Sequence, residues 1–288
     1  MFLQRFQLYM IKCGFLKDTN RTHQLLLISH FKQMHQKKIK INALEEIGFN
    51  VYSPTYEDGI LLFIFSIIGI TNKKLVDIGA GTVQGSSVSN LIINHSFSGL
   101  LIEGKKENSK LLRDYYSKHP ETLLFPPKTI SALVTAENVN QLINNNKLHG
   151  EIDLLCIDID GMDYWIWKAI EVIQPRVVVV EYQDILGPQK SWTVPYKADF
   201  NVHDYSVNNK LNNYNGASLS AFVKLGKQKG YRLIGCNKGG WNAFFIRNDI
   251  NDEYLPEITV ENCFKYEWNQ MGIKTRFPLV KNMNWEEV

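Results

Sequence analysis

The apolar positions of this chain fall into short unbroken runs, and several of those runs end on a carboxylate or a glycine. Leu75, Val76 and Ile78 stop at Gly79 and Gly81, as a strand buried on both faces does before a turn that serves a ligand. A second run, Gly99-Leu100-Leu101-Ile102-Glu103-Gly104, ends in the same way, and residues 123–125 predict a short third strand. The run from Ile152 to Ile157 predicts a strongly buried fourth strand that leads into Asp158-Ile159-Asp160-Gly161, and 177–180 predicts a fifth that continues into Glu181-Tyr182. Between them, Val88, Leu91 and Ile92 recur at helical spacing within 85–94, and 135–147 reads as a helix capped by Thr135. The last two strands, 231–236 and 241–246, are separated only by Asn237-Lys238-Gly239-Gly240. A link that short cannot make a parallel crossover, so an antiparallel hairpin follows the strand-helix units.

Ahead of the first strand the pattern changes. Residues 1 to about 48 read as helical and basic, with Lys32, Lys37, Lys38 and Lys40 following an apolar patch at 25–28. This is either a solvated helix face or a surface that docks a partner or an anionic acceptor. His30 and His35 are five apart and do not share a helix face, which argues against a metal site. The turn Ser53-Pro54-Thr55-Tyr56-Glu57-Asp58-Gly59 leads into an apolar run at 60–70 that is too short to span a bilayer. Its two acids suit the positive end of a helix, or form part of a ligand wall.

Composition narrows the class. The 288 residues are 44% hydrophobic and 21% charged, as in an ordinary globular protein with a substantial core. The net charge of +3 is too mild to argue for nucleic acid. Cys13, Cys156, Cys236 and Cys263 are far apart and form no C-x-x-C pair, so they read as buried thiols in a reducing compartment. Gln4, Arg5, Gln7 and Lys12 interrupt the apolar start, no small-residue cleavage site follows, and no transmembrane segment is expected. Cytoplasmic location is therefore the default.

The glycines of the first turn set the chemistry. The dinucleotide fingerprint G-x-G-x-x-G would need a third glycine sooner than Gly85, and Asp77 would repel a pyrophosphate while suiting an amino or hydroxyl donor. Asp77-Ile78-Gly79-Ala80-Gly81 is instead similar to the first motif of S-adenosylmethionine-dependent methyltransferases; the plain alternative is a structural turn with Asp77 as a helix cap. Glu103, 26 residues after Asp77, can accept both hydroxyls of an adenosyl ribose. Glu103, Asp158, Asp160 and Glu181 join Asp77 on one rim of the sheet, and clustered acids are costly unless ligands, metal or donors pair with them. Asp158, Asp160 and Glu181 could hold a divalent cation, although the metal-free reading is favoured. Asp160 is the first candidate for a catalytic base, with Glu181 orienting the acceptor. His203, in the long polar insertion after the fifth strand, is the alternative base, and the insertion itself is expected to cover the acceptor.

Taken together, Tyr56-Glu57-Asp58-Gly59, Val76-Asp77-Ile78-Gly79-Ala80-Gly81, Leu101-Ile102-Glu103-Gly104, Ile157-Asp158-Ile159-Asp160-Gly161-Met162-Asp163-Tyr164-Trp165, Val180-Glu181-Tyr182, Gly216-Ala217-Ser218-Leu219 and Asn242-Ala243-Phe244-Phe245 resemble the FkbM-like S-adenosylmethionine-dependent methyltransferases of bacterial cell-surface polysaccharide and secondary-metabolite genes. The resemblance covers about residues 50–248. Where many of that family have D-x-E-G, this chain has Asp158-Ile159-Asp160-Gly161. The resemblance implies a class I fold: an α/β, Rossmann-like, mainly parallel seven-stranded sheet ending in an antiparallel hairpin. It divides the chain into an N-terminal helical extension (1–50), a methyltransferase domain (51–250) and a tail packing on it (251–288). It also implies S-adenosylmethionine as cofactor, held by Asp77, Gly79, Gly81, Glu103 and Asp158, and O-methylation of a sugar or glycan acceptor. A nucleic-acid methylase would want an Asn/Asp-Pro-Pro-Tyr-like turn after the fourth strand, which is missing. A non-catalytic carbohydrate-binding or scaffold protein would keep the fold without taking up cofactor.

Overall fold

The computed structural model describes residues 19–39, 41, 43–205, 213–250 and 253–288, so the reading of the first 15 residues, with Cys13, lies outside the described part, as does Lys40. In chain order the elements are α1 (Thr19–Gln36), α2 (Glu57–Ile68), β1 (Lys74–Ile78), α3 (Ser89–His95), β2 (Ser98–Glu103), α4 (Lys106–Tyr116), β3 (Lys128–Ser131), α5 (Val139–Asn145), β4 (Gly150–Ile157), α6 (Asp163–Ala169), β5 (Ile173–Glu181), β6 (Trp192–Thr193), α7 (Leu219–Lys229), β7 (Tyr231–Cys236), β8 (Asn242–Arg247), α8 (Glu267–Thr275), α9 (Phe277–Val280) and β9 (Glu286–Glu287).

Seven strands form one sheet in the order β3-β2-β1-β4-β5-β8-β7. The pairs β1 with β2, β1 with β4, β2 with β3 and β4 with β5 are parallel, while β8 runs antiparallel to both β5 and β7. This is the expected Rossmann-like, mainly parallel seven-stranded sheet, closed by the antiparallel hairpin and preceded by an N-terminal helix.

The continuous apolar runs have a simple cause, because both faces of the sheet are covered. Leu75, Leu101, Leu154, Val177 and Val179 pack with Phe31 of α1, residues 60–67 of α2, Leu91 and Ile92 of α3 and Leu112 of α4. Their strand neighbours Val76, Leu100, Ile102, Leu155, Val178 and Val180 point the other way, onto Val139 and Ile143 of α5, Trp167 of α6 and Phe222 of α7.

The entries of the central strands are pinned at the edge far from the acids. Asp153 of β4 accepts the backbone N–H groups of Thr71, Asn72 and Lys73 at 2.7–3.2 Å and pairs with Arg176 of β5 at 2.9 Å. Arg176 also donates to the carbonyls of Ile68 and Gly69 at 2.8 Å, which satisfies the C-terminal end of α2. Burial opposes the Asp153 charge, but these donors outweigh it and hold its carboxyl below the usual range.

Three expectations are corrected. Residues 123–125 are not a strand but an exposed turn, and β3 begins at Lys128, after Pro126 and Pro127. The helix expected over 135–147 is shorter, because Asn138 Oδ1 accepts the Thr135 N–H at 2.9 Å and folds 135–138 into a turn before α5. The helix expected over 85–94 begins only at Ser89, since Gly85 has φ +105 and donates its N–H to the Tyr52 carbonyl. Cys156, Cys236 and Cys263 are buried free thiols, as read from the sequence.

Candidate active site

Strand alternation places Asp77 on the face of Leu75, Glu103 on that of Leu101, and Glu181 on that of Val177 and Val179. Asp158 lies one residue past the end of β4. Acids from four adjacent strands therefore meet at one rim, where an open α/β sheet forms its ligand crevice.

The first turn is shaped by close approach. Gly79 has φ +88, and a Cβ there would sit 1.7 Å from the Asp158 carbonyl oxygen, so no other residue fits between the ends of β1 and β4. The Asp158 N–H donates to the Ile78 carbonyl at 2.9 Å, which locks that contact. Gly81, with φ +56, is different. A Cβ on it would meet nothing nearer than 3.9 Å, and one on Gly104 would meet nothing within 4 Å, so main chain beside Glu103 is open to a ligand. Glu103 Oε2 accepts the Gly81 N–H and Oε1 accepts the Lys105 N–H, each at 2.7 Å. The carboxylate stays correctly aimed, with lone pairs to spare.

Asp77 faces Cys156 across the register of β1 and β4. Burial pushes its carboxyl up to about 7, against the Cys156 hydrogen bond and with the Glu103 charge adding to the rise. Asp158 is pushed up to about 8, first by desolvation and then by Asp163, Asp160, Asp77 and Glu57. Glu181 is held far above the usual carboxylate range by burial, then by the charges of Asp158, Asp163 and Asp160, with the nearness of the Asp158 carboxyl adding to the rise.

Asp160 occupies the left-handed region at φ +56, immediately before Gly161, and is exposed. Its turn is held by Asp163, which accepts the N–H groups of Ile159 at 2.9 Å and Gly161 at 3.0 Å. Asp160 and Glu181 line a pocket of about 180 Å³ with Gln183, Asp184, Asn215 and Arg276. Asp158, Asp160 and Glu181 can each place an oxygen within 4.8 Å of the others. Of the residues expected at the site, Asp77, Gly79, Gly81, Glu103, Asp158, Asp160 and Glu181 thus line one stretch of the rim. His203 does not join them in the pocket: it is exposed in the 3-10 turn Val202–Tyr205, with its N–H on Asn201 Oδ1.

The insertion after β5 makes the outer wall. A Cβ on Gly161 would strike the Phe200 ring at 2.4 Å, so Phe200 rests directly on the turn that carries Asp160. Beside it lies a pocket of about 330 Å³ walled by Tyr196, Phe200, Tyr205 and Tyr214, with Lys197 and Asn284 at its polar positions. Tyr196 is fixed by donating to Glu137 at 2.6 Å, and Phe200 stacks on Tyr205 at 5.4 Å.

Two groups escaped the sequence reading. Arg276, from the C-terminal segment, reaches the acid pocket and pairs with Asp184 at 2.6 Å. Glu57 and Asp58 stand in the first turn of α2, at its positive end as expected, but both are buried and their hydrogen bonds go elsewhere, so they form no open wall. Asp58 Oδ2 accepts the N–H groups of Val51, Tyr52 and Ser53 at 2.7–2.8 Å, which folds the preceding loop. Fully buried Glu57 accepts from Asn237 at 2.7 Å and Asn242 at 2.9 Å, and Asn242 sits opposite Glu181 in the register of β5 and β8. The only sequence signal for this network was the pair of asparagines flanking the hairpin turn.

No family model and no curated protein matches the sequence. Solved structures similar in shape include an O-methyltransferase from Bacillus cereus in complex with SAH, at 14% identity over 83% of this chain and 94% of that one, with a TM-score of 0.42. The mitomycin 7-O-methyltransferase MmcR is similar at 12% identity, 77% and 54% coverage and a TM-score of 0.37. An O-methyltransferase family protein from Burkholderia thailandensis is similar at 12% identity, 67% and 58% coverage and a TM-score of 0.39. The strand order β3-β2-β1-β4-β5-β8-β7 by itself defines a Rossmann-like sheet closed by an antiparallel hairpin.

Proposed function

We propose that the chain is an S-adenosylmethionine-dependent O-methyltransferase of the FkbM-like kind, acting on a sugar hydroxyl in bacterial surface polysaccharide biosynthesis. The observation that carries this reading is the single face of rim acids around an open glycine turn. The residues fit an adenosyl cofactor: the main chain at Gly81 and Gly104 is open, Glu103 is aimed beside it, and the buried Asp77 carboxyl lacks a cationic partner among the described residues. In this reading Gly79, Gly81, Asp77, Glu103 and Asp158 hold the cofactor. Residues 51–250 form the catalytic unit, 1–50 a helical extension and 251–288 a tail packed on it.

The bound cofactor would supply an activated methyl group on a sulfonium, so the protein has only to align a hydroxyl and take its proton. Asp160, in the pocket mouth, accepts that proton. Glu181, which lines the same pocket, orients the acceptor. His203 is the alternative base, reached only if the insertion shifts. The cofactor would bring positive charge to the rim that Asp77, Asp158, Asp160 and Glu181 line, and in this reading those carboxylates hold no divalent metal. The aromatic pocket beside Asp160 supports a sugar acceptor, because Tyr and Phe faces stack on the C–H face of a pyranose while carboxylates and amides take its hydroxyls.

Calorimetric titration with S-adenosylhomocysteine tests the reading. Saturable binding at one site, followed by transfer of labelled methyl from S-adenosylmethionine to a glycan, is the expected result. Absence of binding would leave a scaffold or carbohydrate-binding protein that keeps the fold.

A further inference from the structure

At the opposite end of the molecule from the acid rim, the chain builds an exposed apolar tip. Residues 117–127 connect the end of α4 to the start of β3, at the edge of the sheet where the parallel strands begin. There Leu123, Leu124 and Phe125 are 48%, 77% and 83% exposed, followed by Pro126 and Pro127. The tip is built rather than frayed. His119 O accepts the N–H groups of Thr122 and Leu123 at 3.0 and 2.9 Å, Thr122 O accepts that of Phe125 at 3.0 Å, and buried Thr122 donates its hydroxyl to Tyr116 O at 2.6 Å. A folding chain normally turns such side chains inward, so three consecutive large ones held outward by a fixed turn mark a contact surface.

The surroundings say which kind. Glu121 of the same turn pairs with Arg21 of α1 at 3.1 Å, and one helical turn beyond Arg21 stand Leu25 and Leu26, also exposed. None of the 18 residues of α1 is acidic, and Lys32 is exposed farther along it. Lys118 and Lys128, which flank the tip in sequence, are exposed, as is Lys110 of α4. Residues 105–128 also carry Glu107, Asp114 and Glu121, yet six Lys and Arg against these three acids leave the segment net positive, while the acid rim lies at the other edge of the sheet. An exposed apolar turn within a net-positive segment has the composition of an interfacial anchor, with leucine and phenylalanine entering the acyl boundary and cations meeting headgroup phosphates.

We infer that the 123–125 turn, with the adjoining face of α1, docks the protein on an anionic lipid surface and leaves the acid rim facing the aqueous phase. This inference is independent of the functional reading above. The experiment is co-sedimentation of the full chain with phosphatidylcholine vesicles, with and without about 30% phosphatidylglycerol, at low and high salt. The wild-type chain should sediment with the anionic vesicles, release as salt rises, and ignore the neutral ones. The double substitution Leu124→Glu and Phe125→Glu should lower the bound fraction at least about tenfold while leaving the melting temperature unchanged. Vesicle addition should also protect the amides of 119–125 from hydrogen exchange in the wild-type chain, a readout that stands even if the variant folds poorly. The inference is overturned if the wild-type chain stays in the supernatant, if it binds neutral vesicles equally well, if a folded double variant binds undiminished, or if 119–125 gains no protection.

Discussion

Glu103 and Gly81 meet at 2.7 Å, carboxylate to backbone N–H, so the end of β2 and the glycine turn after β1 are one unit. Glu103→Ala removes that contact together with the hydroxyl contacts proposed for a ribose, each to a charged acceptor worth about 1.5–3 kcal/mol. The affinity for S-adenosylhomocysteine should fall at least about tenfold by calorimetry. An unchanged dissociation constant in a folded variant takes Glu103 out of the site.

The two glycines of the turn should respond differently. Gly79→Ala drives a methyl group into the Asp158 carbonyl and should destabilise the fold by more than about 4 kcal/mol or prevent folding. Gly81→Ala meets open space and carries only left-handed strain of about 1–2 kcal/mol. Urea unfolding of both variants checks the order, and equal losses would contradict the close approach at Gly79.

Asp160→Asn should leave S-adenosylhomocysteine binding within a few fold while turnover on the glycan acceptor drops by roughly 10² or more. His203→Ala should leave turnover close to wild type. The reverse outcome moves the base to the histidine.

Turnover should survive exhaustive chelation, because in the proposed reading Asp158, Asp160 and Glu181 hold no metal. Loss of activity restored by magnesium or manganese would assign those three carboxylates to a metal.

Asp77 makes the ligand-free protein sensitive to pH. Its carboxyl titrates near 7 when folded, against about 3.9 in an unfolded chain. Between those values the folded state keeps a proton that the unfolded chain has lost, so this contribution is complete below about pH 4 and disappears as pH rises to 7. The ligand-free protein should therefore gain stability from acidification within that window, by at most about 1.4 kcal/mol per pH unit from this group. Asp77→Asn should flatten the slope of melting temperature against pH, and an unchanged slope would mean that Asp77 is charged in the folded protein.

Much of this arrangement was legible in the sequence, for a definite reason. Strands covered on both faces must be apolar throughout, so β1, β2, β4 and β5 stand out as runs, and the polar residue ending each run had to lie on the rim. The hairpin was legible because four residues cannot cross a sheet. What failed was the edge. Leu123, Leu124 and Phe125 have the composition of a buried strand but sit on the surface, whereas β3 itself, Lys128-Thr129-Ile130-Ser131, buries only Thr129. The pairings of Arg276 with Asp184 and of Glu57 with Asn237 and Asn242 were not legible, because the partners are between 92 and 185 residues apart and no local period encodes such pairs.

The Asp153 and Arg176 anchor gives the rim a mechanical character. With the entries of β1, β4 and β5 tied together at one edge, the acid-bearing ends at the other behave like the tines of a fork fixed at the handle. A cation drawn among the tips pulls them toward one another without disturbing the root. Ligand binding should then register as stiffening of the turns at 77–81 and 158–163, with the 71–73 hub already rigid before anything binds.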